Sequence, residues 1–303
     1  MNALLTEALQ VFGLTHAEFI QQHENAVYRE DTKYLLRIHK AAAGLHVDHD
    51  PSLRQAELTL LTHLADAGMN VQQSIAEATL SDGTHATLLT WLEGHHISEA
   101  EFTPDMQRQI GAMTARMHQA AAGFQHGNLR RYDAAHVARL VDILSQMGER
   151  HHLNMDEIAV ACQAVRVIEA RLSRAVGEFI AIHCDLSRSN ILLTENGPIP
   201  IDFSLCGFGH PMHDLGILLG NTSTQAQRKA MAEGYTAAGG HIDLPLLDAG
   251  YTLGLLDLNF HADVWPQEPW FAPRLTRWVN ELLRPLAEGK PILNEDMFLL
   301  NIK

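Results

Sequence analysis

The stretch from Phe179 to Gly216, FIAIHCDLSRSNILLTENGPIPIDFSLCGFGHPMHDLG, constrains this chain more than any other. An apolar run, Phe179 to Ile182, gives way to polar residues. Apolar character returns at Ile191 to Leu193, and the chain reverses at Asn196-Gly197 into Ile199 to Phe203. Asn-Gly is a favoured two-residue connection between antiparallel strands, so the pattern predicts a strand, a loop and a hairpin. Three polar residues stand in unusual places in that frame: Asp185 just past the first strand, Asn190 five residues on, and Asp202 inside the last apolar run. A carboxylate buried in an apolar strand is costly unless a metal or a donor compensates it. The placement points to chemistry.

Composition narrows the class. With 303 residues the chain can form one large unit or two smaller ones with ample core. It has a hydrophobic fraction of 46% and a charged fraction of 19%, as in an ordinary soluble globular protein. No apolar run is long enough to span a bilayer, and MNALLTEALQ at the amino terminus lacks a basic leader, so a cytoplasmic protein with no membrane partner is expected. Cys162, Cys184 and Cys206 lack CxxC spacing, which disfavours a disulfide framework or a zinc knuckle. The net charge of -14 disfavours a nucleic-acid surface and suits a cationic substrate. The 19 histidines are scattered without an HExxH, and read as surface or core residues rather than metal ligands.

Along the chain, residues 1 to 12 have helical spacing. Glu24 to Tyr28 and Lys33 to His39 then read as a hairpin, in whose second strand Arg37 falls mid-strand on the face opposite Tyr34, Leu36 and Ile38. After an Ala/Gly/His linker, Ala41 to His49, the pair Asp50-Pro51 starts a helix expected to stop at Gly68. Glu57 lies on its apolar stripe with Leu53, Leu60, Leu61 and Leu64. A carboxylate there calls for a cationic partner, for which Arg37 is a candidate. Val71 to Ala78 and Ala86 to Trp91 complete a small antiparallel sheet, and Gly94 is a plausible hinge. Beyond it the chain is nearly all helical: Thr103-Pro104 to about Ala122, Asp133 to Met147, a capped helix from Asn154 to about Val176, then Met212 to Leu219, Thr224 to Ala238, Pro245 to Leu258 and Pro273 to Ala287. The expected fold class is α+β, with a sheet-rich lobe over residues 1–93 and a larger helical lobe over 94–303.

The order His183-Cys184-Asp185, Asn190, Asp202 suits phosphoryl transfer, in which one aspartate contacts the attacking hydroxyl while an amide and a second aspartate hold magnesium. On residues alone, a divalent-metal hydrolase or a structural calcium site is also open. The closely spaced oxygen ligands usual for calcium are absent, as is the histidine spacing common in metal hydrolases.

Over most of its length the chain resembles the aminoglycoside phosphotransferase and choline kinase family, small-molecule kinases with a two-lobed protein-kinase-like fold. HCDLSRSNILL resembles the family's catalytic loop, IDF at Ile201 to Phe203 its metal-binding motif, and GFGHPMHDLG the segment beyond. ENAVY and YLLRIH resemble its nucleotide-binding strands, and TWLEG at Thr90 to Gly94 its hinge. The resemblance implies Asp185 as catalytic base, Asn190 and Asp202 as magnesium ligands, and His183 and Asp214 as supports of the catalytic loop. It further implies a nucleotide site at Asn25, Arg37, Glu57, Trp91 and Leu92, with ATP and Mg2+ as cofactors and GTP not excluded. Three departures stand out: no glycine-rich GxGxxG in the first hairpin, so that the Gln22 to Ala26 turn must cover the phosphates; arginine in place of lysine at position 37; and Ser204 after Phe203.

Only Phe203 to His213 separates Asp202 from Asp214, which leaves little room for the peptide platform of a protein kinase, and Cys184 stands where phosphorylation-controlled protein kinases carry arginine. The expected function is therefore ATP- and magnesium-dependent transfer to a hydroxyl of a small molecule: an aminoglycoside, amino alcohol, hydroxy-amino acid or sugar. The alternatives are a non-catalytic kinase-like binding protein and a Ser/Thr protein kinase. Asp257, His261, Asp263 and Glu268, with Trp265 and Trp270 nearby, could wall an acidic, aromatic pocket for an ammonium group.

Overall fold

The computed structural model describes residues 3–22, 25–39, 51–147, 153–175, 178–260, 269 and 271–293. Helix α1 (Ala3–Phe12) leads into strands β1 (Glu18–Gln22), β2 (Asn25–Glu30) and β3 (Tyr34–His39), then α2 (Pro51–Asp66), β4 (Ser74–Thr79) and β5 (His85–Thr90). The strands form one antiparallel sheet in the order β1-β2-β3-β5-β4. Because side chains alternate along a strand, the sheet serves two cores. Leu36 and Ile38 join Ala26, Tyr28, Ala86 and Leu88 against Leu5, Ala8 and Leu9 of α1. Leu35 and Leu89, on the opposite face, belong to the main core with Leu58, Leu61 and Leu64 of α2. Helix α2 ends as its sequence predicts: Gly68 takes φ +86, and the amides of Gly68 and Met69 bond back to Ala65 and Leu64. The strand expected from Val71 begins only at Ser74, and the linker Ala41 to His49 lies outside the described residues.

The rest of the chain is mainly helical, in the order β6 (His95–His96), α3 (Pro104–Ala121), β7 (Arg130–Tyr132), α4 (Ala134–Met147), α5 (Met155–Arg174), β8 (Ile180–Ile182), β9 (Ile191–Thr194), β10 (Gly197–Pro200), β11 (Gly207–Gly209), α6 (Met212–Gly220), α7 (Gln225–Ala237), α8 (Leu244–Phe260), α9 (Phe271–Trp278) and α10 (Arg284–Ala287). Local chemistry sets several helix starts. The Thr103 hydroxyl accepts from the Met106 amide, and Asn154 and Glu157 exchange side-chain and backbone bonds as a capping box. The single helix expected over Pro273 to Ala287 is interrupted by a π-helical turn at Val279–Leu283. Pro285 has no N–H to give the carbonyl of Glu281, so the regular ladder cannot run through.

Two small three-stranded sheets are ordered β10-β9-β6 and β7-β11-β8. The β9–β10 hairpin turns one residue earlier than Asn196-Gly197: Thr194 pairs with Gly197, leaving Glu195 and Asn196 as the loop, and Gly197 takes φ +105 to re-enter the ladder. One continuous core runs from α2 and β5 through Ile110, Met113 and Met117 of α3 to Leu286 of α10. The methionines are core filler, as their spacing suggests. Among the described residues no helix is long and apolar enough to cross a membrane.

Candidate active site

Asp185 owes its position to Asp214, on the first turn of α6. The buried Asp214 carboxylate accepts two consecutive amides, His183 N at 2.9 Å on Oδ2 and Cys184 N at 2.7 Å on Oδ1, which fixes the chain as it leaves β8. Behind it, His118 of α3 donates from Nε2 to Asp214 Oδ2 at 3.1 Å, and its Nδ1 lies 2.9 Å from the Tyr235 hydroxyl of α7. Burial alone would raise the Asp214 pKa. The bond and charge of His118, the charge of His183 and the His183 amide outweigh it and hold the carboxyl below its ordinary 3.8. Burial drives the Tyr235 phenol upward, so this hydroxyl stays protonated. The His183 ring fastens the loop to the segment just past β10. Its Nδ1 accepts the Asp185 amide at 3.3 Å, and its Nε2 donates to the Ile201 carbonyl at 2.9 Å.

Asn190, in a single 3-10 turn (Arg188–Asn190), donates through Nδ2 to both the carbonyl and Oδ2 of Asp185, each at 2.8 Å. The Asn190 carbonyl accepts the Ile201 amide at 2.9 Å, so the loop carrying Asp185 and the segment carrying Asp202 are directly tied. Burial pushes the Asp185 carboxyl up to about 6; Asp202 and Asp214 add to this, while His183 and the Asn190 bond oppose it.

Asp202 is not inside a strand. Strand β10 stops at Pro200, and Asp202 lies beyond it with φ +62, its side chain 42% exposed at the lip of the cleft. Oδ1 is nevertheless closed off from solvent and accepts no hydrogen bond among the described residues. Its nearest cation is Arg37 Nη2 at 3.6 Å. A buried carboxylate oxygen without a donor calls for an explanation, and a hard cation supplies one: magnesium is commonly held by one or two protein oxygens, with phosphates and water completing its shell. Asn190 and Asp202 fit that role. No group of three or more His, Cys, Asp or Glu among the described residues could hold a metal without such help.

Arg37 and Glu57 meet as their patterns predict, with Nη1 2.8 Å from Oε1 and side chains only 6% and 5% exposed. The arginine therefore joins the α2 carboxylate to the lip of the lower lobe. At the expected hinge, the Trp91 amide donates to the Lys33 carbonyl at 2.8 Å, so it is not free to donate to a purine. The Leu92 amide makes no backbone hydrogen bond among the described residues. The Arg29 guanidinium lies over the Trp91 ring at 4.5 Å.

Asn25 opens β2 opposite His39, but residues 23 and 24 of the expected phosphate-covering turn lie outside the described residues. So do His261, Asp263, Glu268, Trp265 and Trp270. Asp257 is on α8, with its side chain likewise outside the description. Two cavities, of about 560 and 420 Å3, are lined by residues including Arg116 and Pro198 and by residues including His63 and Glu77. Neither is lined by Asp185, Asn190 or Asp202, so the cleft chemistry and not cavity size locates the site. Sequence reasoning missed His118 and Tyr235. The only local signal was a histidine on the apolar stripe of α3, one residue after Met117.

An antiparallel sheet with a buried Arg–Glu pair, set over helices whose loop presents an aspartate and an asparagine, is a two-lobed, protein-kinase-like build, and the fold places the chain in that structural class. The comparison with known families narrows this further. The model of the phosphotransferase enzyme family, APH, matches residues 16–251, and the chain belongs to that family of small-molecule kinases. Solved structures agree on the fold. An amicoumacin kinase in complex with AMP-PNP, Ca2+ and Ami superposes with a TM-score of 0.71 at 16% identity, over 96% of this chain and 95% of that one. A GDP complex of wild-type aminoglycoside 2'-phosphotransferase-IIIa gives 0.65 at 15% identity, over 95% and 99%. A streptomycin–ATP ternary complex of APH(2")-IIa gives 0.63 at 11% identity, over 95% and 98%. No curated protein matches the chain.

Proposed function

We propose that the protein transfers the γ-phosphate of ATP to a hydroxyl of a small molecule, with Asp185 as the base and Asn190 and Asp202 as the ligands of a magnesium ion. The observation that carries this reading is Asp202 Oδ1, shut off from water, without a hydrogen bond among the described residues, and 3.6 Å from Arg37. The residues on either side give it a chemical setting. Asp185, with its carboxyl near 6, is largely ionised at neutral pH and remains a competent proton acceptor. It orients the acceptor hydroxyl and takes its proton as that oxygen bonds to the γ-phosphorus and the bond to the β-phosphate oxygen breaks, releasing nucleoside diphosphate. Arg37, steadied by Glu57, holds the remaining phosphates, and Asn190 keeps Asp185 aimed. Magnesium, when bound, offsets the negative charge of the phosphate oxygens. Residues 1–93 act as the nucleotide lobe and residues 94–303 as the catalytic lobe. The pairing of β6 with β9, just after Gly94, supports that boundary.

The acceptor is a small, cationic alcohol in the cytoplasm, of the kind represented by aminoglycosides, amino alcohols, hydroxy-amino acids or amino sugars. The net charge of -14 favours a cation, and the segment from Asp202 to α6 forms only a turn and β11, too little to seat a peptide. The similar structures include an amicoumacin kinase in complex with AMP-PNP and an aminoglycoside 2'-phosphotransferase in complex with GDP, so ATP and GTP are to be compared directly. The test is nucleoside diphosphate release with magnesium across such a panel. One or more alcohols should stimulate release, and Asp185→Asn should lower it at least about a thousandfold with nucleotide affinity retained, as expected for a group acting mainly in the transition state. Equal turnover by Asp185→Asn would remove Asp185 from the mechanism.

A further inference from the structure

We infer that Cys184 is a positioning residue for phosphotransfer, acting through its contact with His213 to hold the strained peptide that aims Asp185. The inference rests on Asp185 being the base.

Cys184 has φ +69, a left-handed conformation that residues with a Cβ rarely adopt and glycine adopts freely. A side chain kept in such a place next to a working residue is held by its surroundings. Here consecutive residues of α6 grip it at two points. Asp214 takes the Cys184 amide at 2.7 Å, and His213 takes the side chain, with Sγ 3.4 Å from Nδ1 and 4.0 Å from Nε2. Both partners are buried, Cys184 at 4% exposure and His213 at 3%. The imidazole is itself braced. It meets the Tyr132 ring edge-on at 5.5 Å, the Tyr132 hydroxyl donates to the Leu205 carbonyl at 2.9 Å, and the His213 amide donates to the His210 carbonyl at 2.9 Å.

The grip has a direction. The hydrogen bond to Asp214 anchors the Cys184 amide, and His183 Nδ1 and Asn190 hold the amide and carbonyl of Asp185, so the rotation left to the chain is about the Cys184 backbone between these two anchors. The thiol, wedged among Tyr132, Ile182 and the imidazole, resists that rotation. The next residue is Asp185, whose carboxylate must meet a hydroxyl in a narrow geometry, and small misplacements there are costly. A glycine at 184 would relieve the strain and also release the rotation.

The test compares Cys184→Ala, Cys184→Gly, His213→Asn and the double variant Cys184→Ala/His213→Asn with wild type. Each of the first three should lower kcat about tenfold with KM for nucleotide within about twofold, and the double variant should be no worse than the poorer single variant, since both remove one contact. In nucleotide-free protein the amides of residues 183–185 should exchange hydrogen about tenfold faster in Cys184→Ala and Cys184→Gly, with the amides of α7 unchanged. Wild-type kcat in Cys184→Gly, additive losses in the double variant, or unaltered exchange at 183–185 would overturn the inference. If wild type and Asp185→Asn transfer phosphate equally, it is the phosphotransfer reading that fails, and the positioning role fails with it; the exchange rates then report the contact alone.

Discussion

At Arg37 a single side chain serves two carboxylates. Nη1 bonds to Glu57 at 2.8 Å while Nη2 faces Asp202 at 3.6 Å, a division that a planar fork makes with two nitrogens in fixed directions and an ammonium would have to make through one. Arg37→Lys should therefore fold normally but raise KM for nucleotide about tenfold, a loss of one charge-assisted contact. Arg37→Met should do worse, because it leaves Glu57 buried without a cation. Urea unfolding should show a loss of about 3–5 kcal/mol. The pair was legible in the sequence, since strand alternation turned Arg37 inward and the helical stripe turned Glu57 inward. Asp202 was misjudged because the apolar run continues through Phe203 while the strand stops at Pro200. Asp214 gives a prediction with a defined sign. Its carboxyl is held below 3.8 in the folded protein, so its contribution to stability is full above about pH 4 and is lost as pH falls through the lowered folded value. The stability difference between wild type and Asp214→Asn, followed by urea unfolding, should be present at pH 5 and shrink below pH 4. A difference that grows in acid would contradict the assignment.

Helices α3 and α7 approach each other almost backbone to backbone. A Cβ added at Gly111 would stand 2.0 Å from the Met231 carbonyl oxygen, and one at Gly234 would stand 1.9 Å from that of Arg108. Helix propensity alone gives Gly→Ala a gain of about 1 kcal/mol. The contact reverses the sign, because carbonyl oxygens in a helix cannot move aside, and Gly111→Ala or Gly234→Ala should destabilise by about 1–3 kcal/mol in equilibrium unfolding. Since α7 also carries Tyr235, which contacts His118, each variant should lose activity along with stability. This closeness was not readable beforehand. The starts at Thr103-Pro104 and Asn154/Glu157 were, because capping is settled within four residues. The meeting of Gly111 with Met231, or of His118 with Asp214 across 96 residues, depends on how distant elements come together. The hairpin lay between these cases: Asn196-Gly197 announced a reversal, but the left-handed conformation of Gly197 placed it after the loop.

The build of a sheet-rich part followed by a mainly helical one was legible because the periodicity changes from two to nearly four residues along the chain. What the sequence could not convey is that the lobes share one core, with Leu58, Leu61 and Leu64 of α2 continuous with Ile110 and Met113 of α3. A nucleotide held between Arg37 above and Asn190 and Asp202 below would add a polar bridge to that apolar one. A ligand at a hundredfold over its Kd stabilises by about 2.7 kcal/mol, worth several degrees in Tm for a chain of this size. ATP with magnesium should thus raise Tm more than ATP with a chelator, the extra increment coming from the cation. Asp202→Asn should keep the shift due to nucleotide alone and lose the increment due to magnesium, whereas Arg37→Lys should reduce the nucleotide shift and leave a magnesium increment. If the magnesium increment survives intact in Asp202→Asn, the orphaned oxygen at the lip of the cleft is not a metal ligand, and the assignment of Asp202 to magnesium falls.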